Sequence, residues 1–541
     1  MTSSLFLRFF LLVICGGFML FLSWPPITFF TFFIFIALVP LLILEKDIRD
    51  KKKSYKAYFI CAYCTFFIFN LFTTFWIKNA HLAGAVFAIL CNSLFMALVF
   101  YFYAKLKNTI QWKNPILILP ILWIAFEYLH LNWDLSWPWL ILGNVFASHP
   151  VFVQWYSYTG ALGGTLWILI INILVFKCYE RRTSLKNAKV YVLALCVAIL
   201  APFLFSNFLY NQYKYENKMA SEEIKDSVVD TINVLVVQPN IDPYTDKFSL
   251  SQFNQIEDVY ELISGHVDST FNYLVLPETF LIDPIWEHKF DNNLSIKTLN
   301  QWIDKYQFDI IVGATTLGLS EKSATSKSLG KHKDAWYEVY NSVLYMRGEN
   351  YKIATYHKSK LVPGAEQMPF QRILYPLLGD RILNIGESTS VGNFSKQDTI
   401  SIFNQSIAPV ICYESIYGDY VRGFVKNGAK VIFIITNDGW WKDTSGYRQH
   451  NMYAQLRAIE TRRYIARSAN TGISSIITPL GEIDESLGWS EKGVIKATLV
   501  LNNQFTFYVK HGDFLGRISA FLSILLLLYF FVINKLQYSH K

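Results

Sequence analysis

Apolar residues are distributed unevenly along the chain. Long runs fill the first 210 residues, short apolar and polar stretches alternate from 231 to 510, and a last apolar run covers about 515–533. A helix needs about 20 apolar residues to cross a hydrocarbon core about 30 Å thick. The runs at 4–22, 27–44, 57–77, 82–104, 115–131, 151–176, 190–210 and 515–533 therefore predict an α-helical membrane bundle of about eight transmembrane helices. The run at 115–131 is short and carries Glu127, and the first two runs are separated only by Ser23-Trp24-Pro25-Pro26. The first run, preceded by few residues and containing Arg8, would also suit a signal peptide, but no small-x-small cleavage site follows and a second apolar run comes almost at once.

The polar segment 211–230 reads as a linker or connecting helix. Beyond it, β-branched apolar runs at 231–238, 271–277, 308–316, 340–346, 351–356, 408–412, 431–436, 473–478 and 494–500 predict strands. Met452, Leu456, Ile459 and Ile465 form an apolar stripe that predicts a helix over 447–467, and Ser320 to Lys333 reads as a Ser/Lys-rich loop. Strands mixed with helices imply an α/β sandwich. The expected organisation is a bundle of about seven spans over 1–210, a linker over 211–230, a folded domain over 231–513, and a last span with a tail over 514–541.

Composition sharpens this picture. Of 541 residues, 52% are hydrophobic and 17% charged, against about 25% charged in an ordinary soluble domain, so an all-soluble protein is excluded, as are disorder and collagen-like repeats. Lysines and arginines concentrate in alternate loops: Lys46, Arg49, Lys51, Lys52, Lys53 and Lys56; Lys105, Lys107 and Lys113; Lys177, Arg181, Arg182, Lys186 and Lys189. The intervening loops 23–26, 78–81 and 132–150 hold only Lys78. Short cytoplasmic loops retain positive charge, so both termini are expected in the cytoplasm and the 211–513 segment on the opposite side. These loops, set against anionic lipid headgroups, account for much of the net charge of +8 without a nucleic-acid partner. The spans carry few ionisable groups, chiefly Arg8, Glu127 and Arg517, which disfavours an ion or proton pathway.

Cys15, Cys61, Cys64, Cys91, Cys178 and Cys196 lie in or beside apolar runs, where a thiol behaves as a small apolar side chain, leaving Cys412 alone in the folded segment. Three strand ends there carry reactive groups: Leu274-Val275-Leu276-Pro277-Glu278; Lys358 after a strand, with Glu366 eight residues later; and Pro409-Val410-Ile411-Cys412-Tyr413-Glu414. Each alone has a plain reading: a solvated carboxylate, a surface loop, a buried filler thiol. Together they supply a thiol nucleophile, a carboxylate to take and return its proton, and an ammonium for an oxyanion. A Cys–His dyad through His357 or His450 is the competing assignment. Zinc is disfavoured, because Cys412 lacks closely spaced ligands, and no cofactor is expected.

The order Glu278, Lys358, Cys412 with these flanks resembles the nitrilase, or carbon-nitrogen hydrolase, superfamily, whose Glu-Lys-Cys triad sits on an αββα sandwich. With spans on both sides of such a domain, the chain is similar to the membrane-bound apolipoprotein N-acyltransferase family within it. Further matching features are Glu127 with Trp137-Pro138-Trp139-Leu140 and Gly143, Gln238-Pro239-Asn240-Ile241, Thr436-Asn437-Asp438-Gly439-Trp440-Trp441, Gln449-His450, Arg457-Ala458-Ile459-Glu460, Arg467-Ser468-Ala469-Asn470-Thr471-Gly472-Ile473 and Pro479-Leu480-Gly481-Glu482. One departure is Val362-Pro363-Gly364-Ala365-Glu366, where that family more often has Phe-Gly before the glutamate; the spacing from Lys358 is kept.

The resemblance implies a fatty acyl chain taken from the sn-1 ester of a phospholipid, held as a thioester on Cys412, and passed to the N-terminal amine of a diacylglyceryl-cysteine in a lipoprotein. It places Glu366, Tyr413 and Glu414 in support of the site, Phe248 and Trp440 at substrate contacts, and the protein in a bacterial inner membrane with its catalytic domain periplasmic. Two rivals stand beside it: a membrane-tethered amidase of the same superfamily, and a non-enzymatic receptor or transporter with a degenerate domain.

Overall fold

The computed structural model describes residues 3–110, 112–183, 185–223, 230–247, 249–268, 270–321, 327–328, 336–348, 351–370, 373, 394–397 and 399–539. Phe248, residues 224–229 of the expected linker and most of the Ser/Lys-rich loop lie outside them. The chain divides into two compact units, Met1–Gln212 with His511–Lys541, and Tyr213–Lys510.

Among the described residues, six helices are long and apolar enough to cross a membrane: Ser4–Leu22, Tyr55–Thr74, Leu82–Thr109, Ala161–Glu180, Lys189–Tyr215 and Phe514–Ile533. Two of the eight expected spans fall short of that length. Pro115–His130 is apolar but shorter. The 27–44 run is broken into a 3-10 turn, Thr31–Phe35, and a helix, Val39–Asp50, which has a proline in its first turn and ends in the polar sequence from Glu45 to Asp50. The break is held by Asn172, whose Oδ1 accepts the Leu38 N–H at 2.9 Å and whose Nδ2 donates to Ile34 O at 2.8 Å. Irregular backbone at membrane depth survives where protein groups satisfy it. The expected 151–176 span begins only at Ala161, because 3-10 turns occupy Pro138–Leu140, Leu142–Ser148 and Pro150–Val153. Glu127 anchors this stretch by accepting the Leu142 N–H and the Trp123 indole N–H, each at 2.8 Å, and the Thr165 hydroxyl at 2.6 Å.

The basic loops gather at one end of the bundle. Lys46 lies 3.6 Å and Lys177 2.8 Å from Glu180, while Lys107 and Arg49 both reach Glu45, and Arg8 pairs with Asp47 at 2.7 Å.

The second unit is built on two sheets. The first contains β1 (Thr231–Gln238), β2 (Tyr273–Val275), β3 (Leu281–Trp286), β4 (Asp309–Ser320), β5 (Lys327–Ser328), β6 (Trp336–Met346), β7 (Ile353–His357) and β13 (Gly493–Val500), in the order β13-β1-β2-β4-β6-β5 with β3 on β4 and β7 on β6. The second contains β8 (Ile407–Ile411), β9 (Val431–Thr436), β10 (Ile465–Ala469), β11 (Ser474–Ile477) and β12 (Ile483–Leu487), in the order β12-β11-β10-β9-β8. Strand alternation divides the core. Val234, Val236, Val275 and Ile311 of the first sheet share one buried cluster with Val410, Phe433 and Ile465 of the second and with Phe424 and Ala454 of the helices Gly418–Lys426 and Ser445–Thr461. Leu235, Val237, Leu274 and Ile310 pack on the helices Gln252–Ser264 and Leu294–Tyr306 through Ile256, Val259, Leu299 and Trp302. The layers run helix, sheet, sheet, helix.

The helix expected over 447–467 stops at Thr461. Arg462 adopts φ 52° and ends it, and Ile465–Ala469 becomes β10, parallel to β9. β12 escaped prediction because its sequence, Ile-Asp-Glu-Ser-Leu, is exposed at four of five positions.

Gly313 on β4 backs the turn after β2. A Cβ there would lie 2.5 Å from Pro277 O and Thr279 N and 2.6 Å from the Glu278 Cα. Gly313→Ala forces that turn off its seat, and overpacking of this kind costs about 1–3 kcal/mol. The expected outcome is a lowered thermal unfolding midpoint for the detergent-solubilised protein, and an unchanged midpoint would refute the close packing.

Candidate active site

The reactive strand ends named above converge at the C-terminal ends of β2, β7 and β8. Glu278, Lys358 and Cys412 are all buried, at 6%, 1% and 8% exposure. Lys358 Nζ lies 2.9 Å from Glu278 Oε1 and 2.8 Å from Glu366 Oε1, so one ammonium bridges two carboxylates. The Lys358 backbone N–H donates to Asn341 O at 2.8 Å, and the Asn341 amide donates to Glu278 Oε1 at 2.8 Å and Glu366 Oε1 at 3.2 Å. The Asn437 N–H, just past β9, donates to Glu278 Oε2 at 3.0 Å. Both oxygens of Glu278 are thereby oriented by groups from both sheets.

Charge in this setting is governed by burial and by the ion cluster. Burial alone would raise the Glu278 carboxyl, but the charge and hydrogen bond of Lys358, then Asn341 and Lys247, outweigh it and hold the group below the ordinary carboxylate range. Burial opposes the Lys358 charge, yet Glu278, Glu366 and Cys412 together keep its ammonium protonated well above the usual range. The Cys412 thiol is pushed well up, first by burial and then by the Glu278 charge, with Lys358 opposing. The resting arrangement is an ionised acid beside a neutral thiol and a fixed cation.

Cys412 has φ 48°, a left-handed conformation that a non-glycine residue occupies at a cost of order 1–3 kcal/mol and that concentrates at functional sites. Its neighbours enforce it. Glu414 accepts the Ile411 N–H through Oε2 at 2.9 Å; its Oε1 accepts the Tyr356 hydroxyl and the Ser359 N–H, each at 2.7 Å, and the Lys360 N–H at 3.2 Å. Glu414 thus ties the thiol turn to the loop bearing Lys358. Burial raises its carboxyl to about 7, with the Ile411 and Ser359 N–H groups and Tyr356 pulling the other way. Ser415 Oγ donates to Cys412 O at 2.7 Å, and His450 Nε2 lies 2.9 Å from Ser415 Oγ and 3.1 Å from Cys412 O.

Below the thiol turn sits a second buried cluster. His450 Nδ1 is 2.9 Å from Asp438 Oδ1; Asp438 Oδ2 accepts from Arg467 Nη2 at 2.6 Å and Oδ1 accepts the Thr436 hydroxyl at 2.8 Å. Burial would raise Asp438, but Arg467 and His450 bring it down to about 2. Donor atoms of Cys412, Asp438 and His450 lie within 4.8 Å of one another. A cation placed among them would meet the Arg467 guanidinium already paired with Asp438, so the set suits an internal ion pair better than a metal.

Glu366 accepts the Val362 N–H at 2.8 Å, which closes its loop over Lys358, and Gly364 there takes φ 80°. The Tyr413 ring packs edge-on to Tyr417 with centroids 5.3 Å apart. Trp440 follows β9, half-buried, with Tyr244 donating to its carbonyl at 2.7 Å. His357 stacks on Tyr340 and places Nε2 2.6 Å from Glu287, turned to a different carboxylate from Glu278. Asn341 was invisible to motif reading; its one signal is an amide inside the buried run of β6.

Two family models match the chain: the apolipoprotein N-acyltransferase N-terminal domain over residues 16–174, and carbon-nitrogen hydrolase over residues 234–503. A Chlorobaculum tepidum protein named apolipoprotein N-acyltransferase is 26% identical over 455 residues, covering 82% of each chain. A Rickettsia prowazekii protein of the same name is 28% identical over 435 residues, covering 79% of this chain and 77% of that one. Among solved structures, that of Saccharomyces cerevisiae Nit3, a nitrilase-superfamily member, is similar at 13% identity and a TM-score of 0.36, over 53% of this chain and 96% of that one. With one matching model in the membrane unit and the other in the sandwich, the chain belongs to the apolipoprotein N-acyltransferase family.

Proposed function

We propose that this protein transfers a fatty acyl chain from a phospholipid to the N-terminal amine of a diacylated lipoprotein through a thioester on Cys412. The observation that carries the reading is the buried Glu278–Lys358–Glu366 ion cluster beside a thiol held at a left-handed turn.

In the first half-reaction Glu278 takes the Cys412 proton as the sulfur bonds to the carbonyl carbon of the sn-1 ester. Lys358 and the Tyr413 backbone N–H stabilise the oxyanion. The carbon–oxygen bond breaks, and Glu278 returns its proton to the departing glycerol oxygen, leaving a lysophospholipid and a thioester. In the second half, the α-amine of diacylglyceryl-cysteine attacks the thioester and passes a proton to Glu278. The carbon–sulfur bond breaks, Glu278 reprotonates the sulfur, and an amide-linked acyl chain results. Glu366 and Asn341 keep Lys358 and Glu278 aligned, Glu414 holds the thiol turn, and Phe248 and Trp440 contact substrate.

Both substrates are lipid-anchored, so confinement to one membrane supplies much of the proximity that the two attacks need. Charge bias supports the orientation: the basic loops converge on one end of the bundle, which is assigned to the cytoplasm of a bacterial inner membrane with the catalytic domain on the periplasmic side.

Incubation of the purified full-length protein with phospholipid, followed by intact mass, is expected to show one fatty-acyl adduct mapping to Cys412, and no adduct in Cys412→Ser. Unmodified protein accompanied by free fatty acid would instead favour a tethered hydrolase. Glu278→Gln is expected to slow adduct formation by about 100- to 10,000-fold, the ordinary contribution of a general base.

The pH profile of adduct formation follows from the charge state. Because Glu278 is held below its ordinary value, it stays ionised as pH falls through the unperturbed carboxylate range near about 4.3, and the acid limb of the burst lies below that. A limb near about 6.5 would assign the proton to a histidine instead.

A further inference from the structure

Lys247 lies in the loop after β1, at 3% exposure. Its Nζ donates to two neutral oxygens, the Thr279 hydroxyl at 2.6 Å and the Glu278 backbone carbonyl at 3.4 Å. Its own backbone is fixed on both sides: the N–H donates to Asp242 O at 2.9 Å, and the Gln255 amide donates to its carbonyl at 2.9 Å. A desolvated ammonium whose hydrogen bonds, among the described residues, go to neutral oxygens is costly, and such groups concentrate where a charge has a task. Thr279 gives a second sign of purpose. It has φ 47°, a conformation that a β-branched residue strongly avoids, and the bond from Lys247 reaches that strained residue.

Resting on the acid–base role proposed for Glu278, we infer that Lys247 is a positioning residue and second fixed cation for that carboxylate. It clamps the Glu278–Thr279 turn through its ammonium and adds positive field at Glu278: Lys358 bonds the carboxylate itself, whereas Lys247 bonds the backbone carbonyl and the next side chain. The charged and titratable groups around Glu278 are Lys358 after β7, Glu366 across Lys358, Cys412 after β8, and Lys247. Burial brings the Lys247 ammonium down to about 8 while the Glu278 charge resists, so the cation is present throughout the acid and neutral range. Lys358 remains when Lys247 is replaced, so Glu278 stays ionised at neutral pH; the acid limb reports loss of the charge, and the rate at neutral pH reports loss of the clamp on the turn.

The test is the burst of adduct formation by the full-length protein with phospholipid, followed against pH. Lys247→Met is expected to slow the burst at least about 10-fold at neutral pH and to move its acid limb upward by about one pH unit, the size of one nearby charge. Thr279→Val discards the hydrogen bond and keeps the charge; it is expected to slow the burst and leave the limb in place. Lys247→Gln keeps donors for the same two oxygens without the charge, and carries the limb measurement if the methionine variant fails to fold. An unmoved limb in the folded Lys247 variants, whatever their rate, overturns the inference, since a merely structural lysine would give that result. Glu278→Gln separates the two readings: adduct formation at the parental rate overturns the acid–base assignment itself, whereas a slow Glu278→Gln beside an unmoved limb overturns only the role of Lys247.

Discussion

The bridging of two carboxylates by the Lys358 ammonium is the interaction on which the catalytic unit depends. Each of these groups is expensive to desolvate, and removing any partner leaves an uncompensated charge inside the protein, a loss that typically costs about 3–5 kcal/mol. The cluster therefore requires the ends of β2 and β7 to meet within a few ångströms, and the β6–β7 pairing fixes the approach through the bond from Lys358 N–H to Asn341 O. The second sheet is bound to the same point by the Asn437 N–H on Glu278 and by Glu414, which reaches from the thiol turn to Ser359 and Lys360. Sheet register, ion cluster and nucleophile geometry form one set of constraints.

Much of this frame was legible in the sequence because buried strands announce themselves as β-branched runs; nine such runs coincide with strands, including those that end at Glu278, Lys358 and Cys412. What stayed hidden had a physical reason in each case. β12 is mostly exposed and so carries no apolar run. β10 was read as the end of a helix because Arg462 closes that helix in the left-handed conformation without a glycine to mark it. Asn341 and Lys247 are polar residues whose partners lie 63 and 32 positions away, and no local pattern encodes such contacts. The cluster of Asp438, His450 and Arg467 sat inside recognised motifs, yet its place beneath the Cys412 carbonyl required coordinates.

The membrane unit shows the same limit of hydropathy. An apolar run signals burial or lipid, but not helix. The 27–44 run is as apolar as its neighbours, and its backbone is broken where Asn172 supplies the missing donor and acceptor. Glu127 does the same for the turns around Leu142. Asn172 and Glu127 are thus explained by backbone satisfaction, a role that a count of ionisable groups along the spans cannot reveal.

The charge states favour a particular order of events at the thiol. A low thiol pKa would leave a standing thiolate; here burial and the Glu278 charge keep the proton on sulfur beside a carboxylate that is already ionised, so in the proposed mechanism the thiolate forms only as Glu278 takes that proton while an acyl carbonyl arrives. In the proposed cycle the same proton then meets the leaving oxygen, and a second one follows the same route from the amine. A carboxylate held below its ordinary range is a weak base at rest, but Lys358, paired with Glu278 at rest, would in the proposed mechanism be shared with the developing oxyanion. As negative charge grows on the substrate oxygen, the ammonium is drawn toward it and its hold on Glu278 weakens, which raises the basicity of the carboxylate at the moment the proton must move. Glu366 is bonded to the same ammonium, and in the proposed cycle it would limit that excursion and restore the resting pairing between half-reactions.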